Sequence, residues 1–259
     1  MRIRFRVWLC VALALGAMPA AAQPWSDFYP PTSPPGSAFD PPIKVVTIQD
    51  NGEWSAIACT YYSDVMIRIP DSDSPAPDNA EIIPYQGATV PPRCTSANPV
   101  HGITLPTEGY ALSGRNGRFL VFYFADAVGV GDFKIFDVKT GHLLFEDGDY
   151  YAGAVVTFRH GILLMHYNRG INGVCSLLSG DAGCWAKLLA NGSIPRGAFV
   201  GPPSREACVK AYGFDPAKVR GYSFDGDPNI LSYDVTLTLD LAGHAKVQPV
   251  GLLQCDAPP

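Results

Sequence analysis

The carboxylates of the central stretch have the spacing that could support chemistry. Asp126, Asp132, Glu146, Asp147 and Asp149 fall close together, Tyr150 and Tyr151 follow at once, and Trp185 comes later. Glycoside hydrolysis needs two carboxyls facing each other across a sugar, and these rings are of the kind that stack on sugars. In an acidic, β-rich chain such residues more commonly serve as solvated loop carboxylates. A nucleophile is harder to find: no G-x-S-x-G elbow occurs, so nothing marks an α/β-hydrolase site.

Metal chemistry has no better footing. His101, His142, His160, His166 and His244 are scattered, and H-E-x-x-H is absent. His160 and His166 on one strand would stand roughly 20 Å apart, too far to share an ion. Asp225-Gly226-Asp227-Pro228-Asn229 begins like a calcium loop, but Ile230 stands where the turn glycine belongs and Thr236 where the closing Glu belongs. No metal and no cofactor is expected. The most site-like segment is His166-Tyr167-Asn168-Arg169-Gly170-Ile171-Asn172-Gly173. Its aromatic, guanidinium and amide groups on a glycine-flanked loop suit ligand binding, so His166, Tyr167, Asn168 and Arg169 are the candidate binding residues. The alternative is a plain hairpin connection.

The elements that must position these residues begin after an address. Arg2, Arg4 and Arg6 precede an apolar run from Val7 to Ala17, and Ala20-Ala21-Ala22 precedes Gln23. That is the form of a secretory signal peptide over residues 1–22. The run is about half the ~20 residues a membrane span needs, so no membrane span is expected. Residues 23–42 hold seven prolines and read as an extended arm carrying Trp25, Phe28 and Tyr29. A single β-rich domain is expected over 43–259. Removing 1–22 lowers the formal charge from −5 to −8. Phosphate neutralisation needs a basic surface, so nucleic acid is not an expected partner.

Over the whole chain, Gly 26 and Pro 24 punctuate short apolar runs. This excludes a helical bundle or long coiled coil. Strands are expected at Val65–Ile69, Phe119–Phe124, Phe133–Val138, His142–Phe145, Ala154–Phe158, Ile162–Tyr167, Val174–Leu178 and Cys184–Leu189. Asn51-Gly52 marks a hairpin, a final hairpin joins Ile230–Leu239 to His244–Val250, and residues 70–102 read as a long loop. One short helix is expected at 204–212, with Ser204 as N-cap and Gly213 past its end.

Six cysteines follow the leader: Cys59, Cys94, Cys175, Cys184, Cys208 and Cys255. An even number in an exported chain reads as three disulfides. A tight turn at Ser179-Gly180 would place Cys175 opposite Cys184 at a non-hydrogen-bonded site, with Cα atoms about 4.5 Å apart. Cys59–Cys94 and Cys208–Cys255 follow by sequence proximity.

The run Ser113-Gly114-Arg115-Asn116-Gly117-Arg118, the apolar strand Phe119–Tyr123, and then Asp137-Val138-Lys139-Thr140-Gly141 resembles one blade of a periplasmic β-propeller repeat. A degenerate second copy spans Gly161 to Gly183 and completes the similarity over 113–189. The glycine spacings of 44 and 42 residues suit a blade period. The resemblance implies an all-β, propeller-like meander of short antiparallel hairpins. A β-sandwich is the alternative.

Together these features point to a periplasmic or secreted binding module, non-catalytic, whose partner is an unknown protein or envelope component. The second reading is a secreted hydrolase acting on carbohydrate or a related polymer through loop carboxylates. A third lies between them, a ligand-binding propeller with a central funnel.

Overall fold

A computed structural model describes residues 38–49, 55–72, 79–85, 91–95, 102–125, 131–172, 175–177, 183–213, 218 and 230–256. The leader, the aromatics of the arm, Asn51-Gly52, Asp126, Ser179-Gly180 and Asp225–Asn229 lie outside the described residues. The chain is mostly β, and its pairings are antiparallel throughout. A five-stranded sheet takes β1 (Lys44–Gln49), β2 (Ser55–Tyr61), β3 (Val65–Ser72), β4 (Glu81–Pro84) and β5 (Ile103–Thr104) in chain order. A seven-stranded sheet takes β6 (Ala111–Asn116), β7 (Phe119–Ala125), β8 (Gly131–Asp137), β9 (Leu143–Arg159), β10 (Ile162–Asn172), β11 (Ile230–Asp240) and β12 (Ala245–Asp256), also in chain order. Two helices, α1 (Cys184–Ala190) and α2 (Arg205–Tyr212), lie between β10 and β11.

The turns follow their residues. Gly117 (φ +55°) closes β6–β7, His160-Gly161 (φ +51° and +77°) closes β9–β10, and Gly243 (φ +82°) closes β11–β12. Two successive positive φ values match the twist of a tight hairpin. Ser204 accepts a hydrogen bond from the Ala207 amide and Gly213 ends α2 in the left-handed conformation (φ +72°), as its sequence requires.

Alternation along β7 divides the core. Phe119, Val121 and Tyr123 point to one side, with Phe133, Leu163, Met165, Leu237 and the helix residues Cys184, Leu188 and Cys208. Leu120 and Phe122 point to the other, against Val65, Ile67, Ile82 and Leu105 of the smaller sheet. The smaller sheet therefore covers β6–β8, and the helices lie on the opposite face. Each large side chain so buried contributes about 1.5–3 kcal/mol. The outer face of the smaller sheet is covered by 91–95, held by Cys59–Cys94, by Tyr61 donating to the Pro92 carbonyl (2.9 Å) and by Arg68 donating to the Thr95 carbonyl (3.0 Å).

The arm's last residues join the fold. Phe39 packs edge-on against Phe158 and lies so close to Gly114 that an added Cβ would stand 2.5 Å from its ring. The Asp40 amide donates to the Arg115 carbonyl (2.7 Å). Arg115 in turn donates to both carboxylate oxygens of Asp64 and lies over the Tyr62 ring. Burial pushes the Tyr62 phenol up to about 12, although Arg115 works against it.

Several local expectations change. Residues 184–189 are helical, not a strand: Cys184 and Leu188 are buried at helical spacing, and Ala, Leu and Lys favour a helix. The Cys175–Cys184 disulfide is present with Cα atoms 5.6 Å apart, but it joins the segment after β10 to the start of α1. Cys208–Cys255 ties α2 to β12. Asp147-Gly148-Asp149, a turn-forming sequence, lies inside β9, where register shifts against β8 and β10 absorb the extra residues. The long loop 70–102 contains β4, whose Ile82-Ile83 core is too short to stand out between prolines.

Candidate functional site

The candidate binding residues lie in a strand, not a loop. Residues 166–169 belong to β10, paired with β11 along its whole length. Strand alternation therefore sends Tyr167 and Arg169 to the helix-covered face and His166 and Asn168 to the other.

Beneath the sheet, Tyr167 donates its hydroxyl to Asp147 Oδ2, and Arg169 Nη2 stands 3.0 Å from Asp147 Oδ1. Arg169 also bonds the Tyr233 hydroxyl. The Asp147 side chain is only 7% exposed and that of Arg169 36%. Burial pushes the Tyr167 phenol far up, and the Asp147 charge adds to it. Burial works against the Arg169 charge, but Asp147 outweighs it and holds the guanidinium above its ordinary value. Tyr167 and Tyr233 pack edge-on against Phe133 and Phe199, each at 5.2 Å. The group is a satisfied polar network that stiffens β9, β10 and β11 from below; a phenol held this firmly protonated is a donor, not a base.

On the other face the register makes rows. Val155, His166, Thr236 and Gln248 form one, and Asn168, Asp234 and Val250 the next. His166 Nδ1 lies 3.0 Å from Thr236 Oγ1, and Asn168 Nδ2 donates to Asp234 Oδ1 at 3.2 Å. Around this polar centre, Val155 (54%), Val250 (48%) and Leu252 (79%) stand exposed. The result is a flat surface of small amides, hydroxyls, an imidazole and aliphatic groups. It can hydrogen-bond and exclude water over the same area. Asp234 and Thr236 were missed as members. Their signal is the strict alternation of Leu231–Leu239, which puts every polar residue on one side.

The carboxylates separate. Asp132 and Glu146 both act on the Tyr110 phenol, whose pKa is raised by burial first and by these two charges next. Lys134 lies 4.4 Å above the Tyr110 ring and donates to the Pro106 carbonyl (2.9 Å). Asp147 faces the opposite side of the sheet. Trp185 lies on α1, in a cleft with Leu189, Arg196 and Phe199. Among the described residues no group of three or more His, Cys, Asp or Glu side chains is arranged to hold a metal ion. His160 sits on its hairpin turn, and His244 bonds Asp240 (2.9 Å).

No family model, no curated protein and no solved structure matches this chain.

Proposed function

We propose that the protein is an exported, non-catalytic binding module that docks another protein or an envelope component on the outward face of β9–β12. The observation that carries this reading is that face itself: exposed Val155, Val250 and Leu252 around the paired His166–Thr236 and Asn168–Asp234. An apolar patch rimmed by polar groups is the usual form of an interaction surface. The buried network below it keeps the strands rigid, so little ordering is lost on docking. Three disulfides and the leader support an oxidising compartment outside the cytoplasm. No helix among the described residues is long and apolar enough to cross a membrane. The propeller resemblance belongs to the same proposal, with β6–β9 as the blade-like meander and Gly117 and Gly141 at its turns.

A photo-crosslinking residue at Gln248, compared with one at the exposed Ile43 just before β1, tests the proposal in the native host. One discrete adduct from position 248 and none from position 43 supports it; equal or absent adducts at both sites sink it. The hydrolase reading keeps one specific observation, the convergence of Asp132 and Glu146 on Tyr110. Release of reducing ends from a polysaccharide, lost in both Asp132→Asn and Glu146→Gln, would favour that reading instead.

A further inference from the structure

The helix layer contains a cleft of about 440 Å³ between α1 and the chain that follows it. Trp185 and Leu189 line it from the helix, and Arg196, Phe199 and Val200 line it from the loop. Phe199 is anchored against Tyr233, and Val200 is fully exposed. The cleft is thus apolar with one guanidinium at its side. Among the described residues no carboxylate pairs with Arg196.

The cleft shares its face of the seven-stranded sheet with the root of the arm. Phe39 and the α1 residues Cys184 and Leu188 belong to the same core, on the same side. The arm leaves that core at Ala38. Thirteen residues earlier stands Trp25, followed by Asp27, Phe28 and Tyr29, and no Lys or Arg occurs from Gln23 to Ser37. A proline-rich chain rises about 3.1 Å per residue, so this segment lies within roughly 28–40 Å of Ala38. The sheet from β6 to β11, where Phe199 meets Tyr233, is only about 24 Å wide at ~4.8 Å per strand. Proline-restricted chains also lose little freedom on docking.

We propose that the cleft receives the aromatic segment Trp25–Tyr29 of the chain's own arm, with its rings against Trp185, Leu189 and Phe199 and Asp27 facing Arg196. The docking site lies on the face opposite the proposed partner surface, so the two proposals stand separately.

Hydrogen exchange of residues 183–200 in the oxidised protein tests it. Replacing Trp25, Phe28 and Tyr29 by Ala should speed exchange there by about tenfold or more while β6–β8 stay unchanged. Unchanged exchange at 183–200 overturns the proposal. Asp27→Lys and Arg196→Glu should each speed exchange, and the double variant should restore protection; failure to restore it also overturns the proposal. Protection that survives strong dilution assigns the occupant to the same chain. Protection lost on dilution assigns it to a second copy and rejects the intramolecular form.

Discussion

Strands β6–β8 and β9–β12 share one sheet but meet different neighbours. The first group is enclosed by the smaller sheet on one side and the main core on the other, and every residue from Phe119 to Tyr123 is buried. Among the described residues the second group packs its apolar side chains, Leu231, Tyr233, Val235, Leu237 and Leu239, on the helix side, and on the other face Asp234, Thr236 and Thr238 reach solvent while Ser232 is buried. A strand buried on both faces reads as a continuous apolar run, and one buried on a single face alternates. The contrast divides the sheet: one half is buried on both faces, and the other exposes, among the described residues, the polar face on which the proposed docking rests.

Paired substitutions across the two halves test that division most strongly. Phe122→Ala, in the doubly covered half, should destabilise by about 3–5 kcal/mol, whereas Thr236→Ala should stay within about 0.5 kcal/mol. Urea unfolding of both variants checks this, and comparable losses would break the contrast. Next in size, removing the disulfide with Cys59→Ser and Cys94→Ser should cost about 2–4 kcal/mol and lower the thermal midpoint, because the cover over the smaller sheet then loses its covalent tie and keeps the Tyr61 and Arg68 hydrogen bonds.

Within the singly covered half, Arg169→Leu should cost about 2 kcal/mol, since Asp147 keeps its burial and loses its counter-charge. Arg169→Lys should recover part of that loss.

Acid should act on the junctions of the enclosed half. The Arg115 hydrogen bond holds the Asp64 carboxyl below its usual range. Burial alone would raise Asp137, but Arg118 and the Lys139 amide outweigh it and lower it. Both folded values lie below the unfolded value of about 3.9, so the stabilisation is complete above about pH 4 and is lost as pH falls through the folded values. Asp137→Asn should flatten the acid limb of a stability–pH curve. The smallest stability change is expected for His166→Ala, within about 0.5 kcal/mol, yet it should weaken crosslinking from Gln248.

The enclosed half was also the more legible in sequence. Phe119–Phe124 announces β7 because an uninterrupted apolar run between turn residues leaves few other solutions, and Phe133–Val138 announces β8 by its apolar residues between turns, broken only by Lys134 and Asp137. α2 is equally plain from Ser204 and Gly213. α1 hid because Cys184–Leu189 is short and apolar, and periodicity cannot separate strand from helix over so few residues. Half of the candidate site was misplaced for a related reason. His166 to Arg169 look polar throughout, yet they alternate between a solvated face and a buried network. Nothing in the local sequence shows that Tyr167 and Arg169 meet Asp147, because that contact depends on the register shifts of β9.

The three disulfides have one more property. Cys59 pairs with Cys94, Cys175 with Cys184 and Cys208 with Cys255, so each cysteine after residue 22 joins the next one along the chain and no two bridges interleave. Of the 15 ways to pair six thiols, this is the one produced by oxidising them in their order of arrival. A polypeptide threaded amino-end first into an oxidising space would close each bridge before the next pair emerged. Each strand would likewise find its neighbour already waiting, because both sheets are ordered as the chain is. Correct bridging would then need an oxidant but no reshuffling.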